Sequence, residues 1–305
     1  MTRVAILDDY QDVARAFGDW DSLEAEVVAF HDHLAGDDEV VERLQPFDVV
    51  MAMRERTPFT RARLERLPNL RLLVTTGMGN AAIDTGAARE LGITVAGTGG
   101  TPTHTAELTW GLILALARHI PAEDRAIRDG GWQHTVGLEL AGLTLGVIGL
   151  GRLGSQVARI GQAFGMDVIA WSQNLDTPLT KEELLQRSDI VTIHVRLSER
   201  TRGLIGAAEL ARMKPTALLI NTSRGPIVDE AALLAALHGG EIAGAGLDVY
   251  DVEPLPPHHP LRSAPNTVLT PHLGYVTSAG YTAFYADAVE AIAAFLRGEP
   301  VRVIS

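Results

Sequence analysis

The strongest constraint on how this chain folds is the segment Leu143–Gly154, LTLGVIGLGRLG, near its midpoint. An apolar strand runs directly into Gly149-x-Gly151-x-x-Gly154. A helix-like segment, SQVARIGQAFG, and a second strand, DVIAW, follow. In such a unit the first glycine permits a tight turn and the second lets backbone approach a pyrophosphate. The third lets the helix pack closely on its strand. Helix N-terminal amides, here around Arg152 and Leu153, then face the anion. A dinucleotide site is the expected reading; another ligand or a purely structural glycine turn are the alternatives. The motif lies so late in the chain that the residues before it must build something else.

The length, 305 residues, is enough for two domains, each with its own core. With 26 basic and 38 acidic residues the net charge is −12. That disfavours nucleic acid or an anionic membrane as the main partner. The absence of cysteine excludes disulfides, thiolate catalysis and cysteine-ligated metals. The longest apolar run, AELTWGLILALA from Ala106, is too short to span a bilayer. The N-terminus, MTRVAILDDY, enters a strand-like segment at once, without a secretory stretch. A cytoplasmic protein is the expectation.

The first hundred residues alternate between two patterns. VAILD, EVVAF, DVVMAM, LRLLVTT and ITVAG read as strands; DVARAF, EVVERL, TRARLERL and AAIDTGAAREL read as helices. Such alternation predicts an α/β fold with parallel sheets covered on both faces. A break at Gly97–Pro102 separates this region from an apolar helix over 103–117, expected as an interdomain linker. Asp189–His194, Ala217–Asn221, Gly246–Val249 and Val268–Thr270 mark further strands of a second α/β domain. The tail YTAFYADAVEAIAAFLRG has helical periodicity and is expected to return to the first domain. The resulting boundaries are 1–100 with 281–305, and 101–280.

Ligand-contacting residues of open α/β sheets gather beyond the carboxyl ends of strands. Arg224, in NTSRG, sits in such a turn and suits a charge-assisted fork with a carboxylate. A structural Arg–Asp pair is the alternative. Asp248 ends the strand of AGLDVYDVEP, and Glu253 stands five residues later. His272 follows Pro271 in TPHLG. If Glu253 and His272 meet, the carboxylate fixes the imidazole tautomer and favours its protonated form. That dyad suits moving a hydroxyl proton beside a hydride transfer.

The ordered set GLGRLG, NTSRG, LDVYDVEP and TPHLG resembles the D-isomer-specific 2-hydroxyacid dehydrogenase family over nearly the whole chain. The resemblance implies two Rossmann-like domains in a formate/glycerate dehydrogenase-like architecture, with a discontinuous substrate-binding domain and a central dinucleotide-binding domain. It further implies a homodimer built through the nucleotide domains and a small 2-keto or 2-hydroxy acid substrate. Arg224 would bind the substrate's carboxylate and C2 oxygen, His272 would be the acid/base, and Glu253 its partner. Asp248 would lie near the nicotinamide. VTTGMGNAAID resembles the substrate loop, with the Met78 and Gly79 backbone receiving the carboxylate. Arg54 matches a substrate-side arginine, and Thr105 a small hydroxyl residue near the cofactor.

The chain departs from the family pattern at the end of the second nucleotide strand. Ser172 stands where NAD-selective members carry an acid, followed by Gln173 and Asn174. Loss of that carboxylate removes a ribose acceptor and a barrier to a 2′-phosphate. NADP is therefore an alternative, and the resemblance tips the expectation to NAD. Tyr275 takes a place that is often small. The enzymatic reading stands against a catalytically weak NAD(P)-binding regulatory protein and a methyltransferase. No metal is expected: His31 with His33, and His258 with His259, lack a convincing ligand set and read as surface histidines.

Overall fold

The computed structural model describes residues 1–100, 103–173 and 179–305. The chain divides into two compact units, Met1–Thr101 with Thr277–Ser305, and Pro102–Val276. The return to the first unit thus comes at Thr277 rather than Tyr281. The reason is local: the Thr277 side chain accepts from the Gly280 amide and starts the C-terminal helix, Ser278–Leu296.

In the first unit the chain runs β1 (Thr2–Ile6), α1 (Ala14–Phe17), β2 (Ala25–Ala29), α2 (Asp37–Leu44), β3 (Val49–Ala52), α3 (Arg61–Leu64), β4 (Leu72–Thr75), α4 (Thr85–Glu90) and β5 (Thr94–Gly97). The sheet order is β2-β1-β3-β4-β5, with all pairings parallel. Every residue of β3 and β4 is buried, which explains why they read as unbroken apolar runs. Leu44, Phe59, Leu64 and Leu73 centre one core. The C-terminal helix packs on β4, β5 and α1. The final residues then cover the β5 edge, with the Ile304 amide donating to the Val95 carbonyl at 2.7 Å. Two helices are shorter than their sequence patterns. Thr60 caps α3, which ends after one turn, and Asp84 caps α4, which therefore starts only at Thr85.

The second unit begins with α5 (Thr103–Ala117) and α6 (Ile120–Arg128) and continues through β6 (Thr144–Ile148), α7 (Arg152–Ala163), β7 (Asp167–Trp171), α8 (Lys181–Arg187) and β8 (Ile190–Ile193). It ends with α9 (Ala207–Leu210), β9 (Leu218–Asn221), α10 (Glu230–Gly239), β10 (Gly244–Leu247) and β11 (Thr267–Leu269). The sheet order is β11-β10-β9-β8-β6-β7, again wholly parallel. The expectation of a linker helix is corrected here. α5 packs against α7, β9 and β10, and Trp110, Leu112 and Ile113 lie in the core of this unit. Its apolar character reflects that burial. A second core, including Leu184, Leu210 and Leu233, brings in α8, α9 and α10. Among the described residues, no helix is long and apolar enough to cross a membrane.

Gly146, in the middle of β6, admits α8 at close range. A Cβ there would stand 2.1 Å from Ser188 Oγ and 2.7 Å from Leu184 Cδ2. Gly146→Ala is expected to cost about 1–3 kcal/mol through overpacking. Thermal unfolding of the variant, with a midpoint several degrees lower, checks this.

Candidate active site

The order of the second sheet reverses between β6 and β8, and this switch point is where an open α/β sheet forms a crevice. Two turns meet there. Gly149, following β6, has φ +97°, and a Cβ on it would lie 2.6 Å from the His194 carbonyl oxygen beyond β8. Gly154 packs so closely that its Cβ would come within 2.0 Å of the Gly149 carbonyl. Gly151 is different: nothing stands within 4 Å of its Cβ position. The three glycines thus have the separate tasks of turn, open backbone and close packing. Gly151 is the N-cap of α7, so the amides of the Arg152–Gly154 turn lie at a helix N-terminus beside an open face. That arrangement fits a pyrophosphate. Ser172 is half-buried just beyond β7, and Gln173 is exposed. Asn174 lies outside the described residues.

The catalytic candidates occupy turns after β9, β10 and β11. His272 and Glu253, nineteen positions apart, meet: imidazole Nδ1 lies 2.5 Å from Glu253 Oε2. Both side chains are largely shielded, at 13% and 22% exposure. The other carboxylate oxygen of Glu253 accepts from the Tyr250 amide at 3.0 Å. His272 itself has φ +55°, unusual for a residue with a Cβ. Asp248 holds this turn in place. Its Oδ1 accepts from the Thr270 hydroxyl and the Leu273 amide, both at 2.7 Å. Its Oδ2 accepts from the Gly274 amide at 2.8 Å. Burial pushes the Asp248 pKa up, and the Thr270 hydroxyl and the two amides oppose that shift. The carboxylate expected near the nicotinamide is therefore engaged with the His272 turn.

Arg224 follows β9, with its Nη1 donating to the Ser223 carbonyl at 2.6 Å. The Asn221 side chain shapes the turn: its amide nitrogen donates to the Arg224 carbonyl and its oxygen accepts from the Ser223 amide. The next residue, Gly225, lies directly on the Tyr250–Asp251 peptide. A Cβ there would stand 2.0 Å from the Tyr250 carbonyl carbon. This contact seats the Arg224 turn against the segment carrying Glu253, a role the bare NTSRG string does not reveal. Thr105, on α5, donates its hydroxyl to the Gly274 carbonyl at 2.8 Å. It thus touches the His272 turn as well.

The first unit gathers its own expected residues. Arg54, just after β3, has φ +52°. Its amide donates to the Thr76 hydroxyl and its Nη1 to the Thr76 carbonyl. Gly77, at φ +85°, lies under that guanidinium, where a Cβ would come within 2.6 Å of Nη1. Met78 and Gly79 follow on an exposed loop, so Arg54 and this loop are neighbours. The paired histidines lie exposed (His31, His258) or half-buried (His33, His259), and acidic partners accompany three of them. His33 Nδ1 lies 2.9 Å from buried Asp8 Oδ1, and His31 meets Asp9 and Asp12. His259 pairs with Glu230 at 2.9 Å while its Nδ1 caps a short helix. Only their spacing was visible in the sequence; their acidic partners come from elsewhere in the chain. The Asp9 carboxylate already accepts from the Val13 and Ala14 amides.

His194, at the switch point, is desolvated, which pushes its pKa from 6.5 down to about 4. Between those values the native protein binds fewer protons than the unfolded chain. The stabilisation is therefore full above pH 6.5 and is lost as pH falls towards 4. His194→Gln is expected to flatten the acid-side fall in thermal midpoint over that window. Equal slopes for both proteins would show that another group controls it.

Residues 110–274 match the family model for the D-isomer specific 2-hydroxyacid dehydrogenase, NAD binding domain. The chain is 43% identical over 255 residues to a glyoxylate reductase of Aeropyrum pernix, covering 77% of this chain and 76% of that one. It is 37% identical over 279 residues to a glycerate dehydrogenase of Methylorubrum extorquens, covering 88% of each. Among solved structures, a phosphoglycerate oxidoreductase from Vibrio cholerae superposes with a TM-score of 0.93 at 36% identity, over 98% of this chain and 100% of that one. With two parallel α/β units and a glycine turn at the switch point of the second, the chain belongs to the D-isomer-specific 2-hydroxyacid dehydrogenases, a family of NAD(P)-dependent oxidoreductases.

Proposed function

We propose that the protein interconverts a small D-2-hydroxy acid and its 2-keto acid, with His272 as acid/base, Glu253 as its partner and Arg224 as the substrate-binding cation. The observation carrying this reading is the 2.5 Å contact between His272 Nδ1 and Glu253 Oε2. It commits Nδ1 to the carboxylate and leaves Nε2 as the nitrogen for substrate. In oxidation, Nε2 takes the proton from the substrate's C2 hydroxyl. In reduction, it returns that proton to the oxygen, with Glu253 stabilising the imidazolium until transfer. Arg224 pairs with the substrate carboxylate and balances charge developing on the C2 oxygen. Bound at the Gly149–Gly154 turn, the nicotinamide cofactor supplies or accepts the hydride. Arg54 and the Met78–Gly79 backbone complete carboxylate recognition in this proposal. The relatives named glyoxylate reductase and glycerate dehydrogenase support a short substrate chain.

NAD is the preferred cofactor in this reading, supported by the NAD-binding description of the matching family. Ser172 is the residue that favours NADP as the second reading, because it places no negative charge against a 2′-phosphate. A homodimer through the nucleotide units belongs to the same proposal. α6 buries none of its residues, and Ile120, Ile127, Trp132 and Val136 each expose more than half of their surface. Exposed apolar residues along one stretch of chain support an association surface there.

Oxidation of NADH and NADPH, followed by absorbance with glyoxylate, hydroxypyruvate, pyruvate and bulkier 2-keto acids, tests substrate class and cofactor together. Turnover is expected with the short acids and faster with NADH. His272→Ala should lower kcat by roughly 10²–10⁴ while cofactor binding persists. Near-normal turnover in that variant would overturn the assignment. Glu253→Gln should lower kcat while cofactor binding persists, because the imidazolium formed during turnover loses its counter-charge. For the dimer, Ile127→Asp is expected to sediment as a monomer where the parent sediments as a dimer.

A further inference from the structure

We propose that Thr109 is a positioning residue whose buried hydroxyl, bonded to Thr222 and to the Thr105 carbonyl, holds the Arg224 and His272 turns in a single frame. The inference rests on the catalytic assignment above. Three threonines on and beside α5 form the connection. The Thr105 hydroxyl donates to the Gly274 carbonyl at 2.8 Å, two residues beyond His272. Thr109 Oγ1 donates to the Thr105 carbonyl at 2.8 Å. It also lies 2.9 Å from Thr222 Oγ1, two residues before Arg224.

Proton counting gives the chain a direction. A hydroxyl carries one proton, and a carbonyl only accepts. The Thr109 proton is committed to Thr105, so the Thr222 hydroxyl must donate to Thr109. Both turns are thereby tied to the same helical turn of α5. The bracket acts through the positions of Arg224 and His272.

The placement of these hydroxyls supports a positional purpose. Thr109 is fully buried and Thr222 nearly so, and the helix around them is rich in Leu, Ile and Ala. Valine has almost the same shape and would bury no polar atom at that site. Internal bonding of a threonine to the carbonyl four residues earlier offers a helix little by itself. The further bond to Thr222 links the helix to a different strand end. Hydride and proton transfer demand reacting groups set to fractions of an ångström, and a shift of about 1 Å costs on the order of 10²-fold in rate.

Thr109→Val keeps the shape and removes both bonds. It is expected to reduce kcat by about 10-fold or more, to leave the NADH dissociation constant unchanged, and to raise the primary isotope effect with deuterated NADH. Thr109→Ser should restore most of the rate. Thr105→Val cuts the second link and is expected to lower kcat as well, but the resemblance also places Thr105 near the cofactor, so Thr109→Val decides the proposal. Wild-type kinetics in Thr109→Val would overturn the proposal. So would a loss that follows lowered thermal stability and is not restored by serine. His272→Ala measured alongside separates the two ideas: an active His272→Ala protein refutes the catalytic assignment. An inactive one beside a fully active Thr109→Val protein refutes only the bracket.

Discussion

The candidate site depends most on one buried carboxylate. Asp248 stands directly after β10 with none of its surface exposed. A charge so placed is costly unless its acceptors are filled, and Thr270, Leu273 and Gly274 fill them. The three donors come from one five-residue turn, so the carboxylate fixes the shape of that turn as well as its position. His272 sits inside it in a left-handed conformation. Such a conformation persists only where the surroundings over-determine it. Glu253 repeats the logic on a smaller scale, with one oxygen on the Tyr250 amide and the other on the imidazole. A chain of acceptors thus runs from the strand ends to the nitrogen that orients the catalytic candidate.

Backbone contacts supply the remaining precision. At Gly154 and Gly225 the chain passes another peptide at distances that exclude any side chain, and at Gly149 a left-handed turn adds to the crowding. Peptide-on-peptide contact has no rotamers to average over, so it defines position more sharply than side-chain packing. Gly154 sets helix α7 on its strand, and Gly225 sets the Arg224 turn on the Glu253 segment. Gly151 stands out because no such neighbour constrains it. Its open face is consistent with an approaching ligand, while its two partners in the motif are occupied by protein.

Much of this architecture was legible in the sequence because its central strands, such as β3, β4, β8 and β9, are buried throughout. VAILD, DVVMAM and LRLLVTT are continuous β-branched and aliphatic runs, and they form neighbouring strands of one parallel sheet. Helices were less legible. TRARLERL carries a helical pattern over eight residues, yet only Arg61–Leu64 is helical. The apolar stretch after Thr103 resembles a lone linker in one dimension, whereas its apolar residues are explained by α7, β9 and β10 packed on it. The same limit applies to histidines. His33 has no partner within its own segment, and Asp8 arrives from β1's end.

The sequence by itself determined the alternation of strands and helices, the place of the glycine turn and the ordered motifs that carry the family resemblance. These are short-range properties, written in periodicity, turn chemistry and residue type. Only the tertiary structure decided that Glu253 reaches His272, that Asp248 faces the TPHLG turn, and that the Thr109 and Thr222 hydroxyls bond. Those contacts join segments separated by up to 113 residues. They exist because parallel strands, connected by helices, deliver the ends of distant segments to the same edge of a sheet. No local preference specifies which ends will meet; the strand order does.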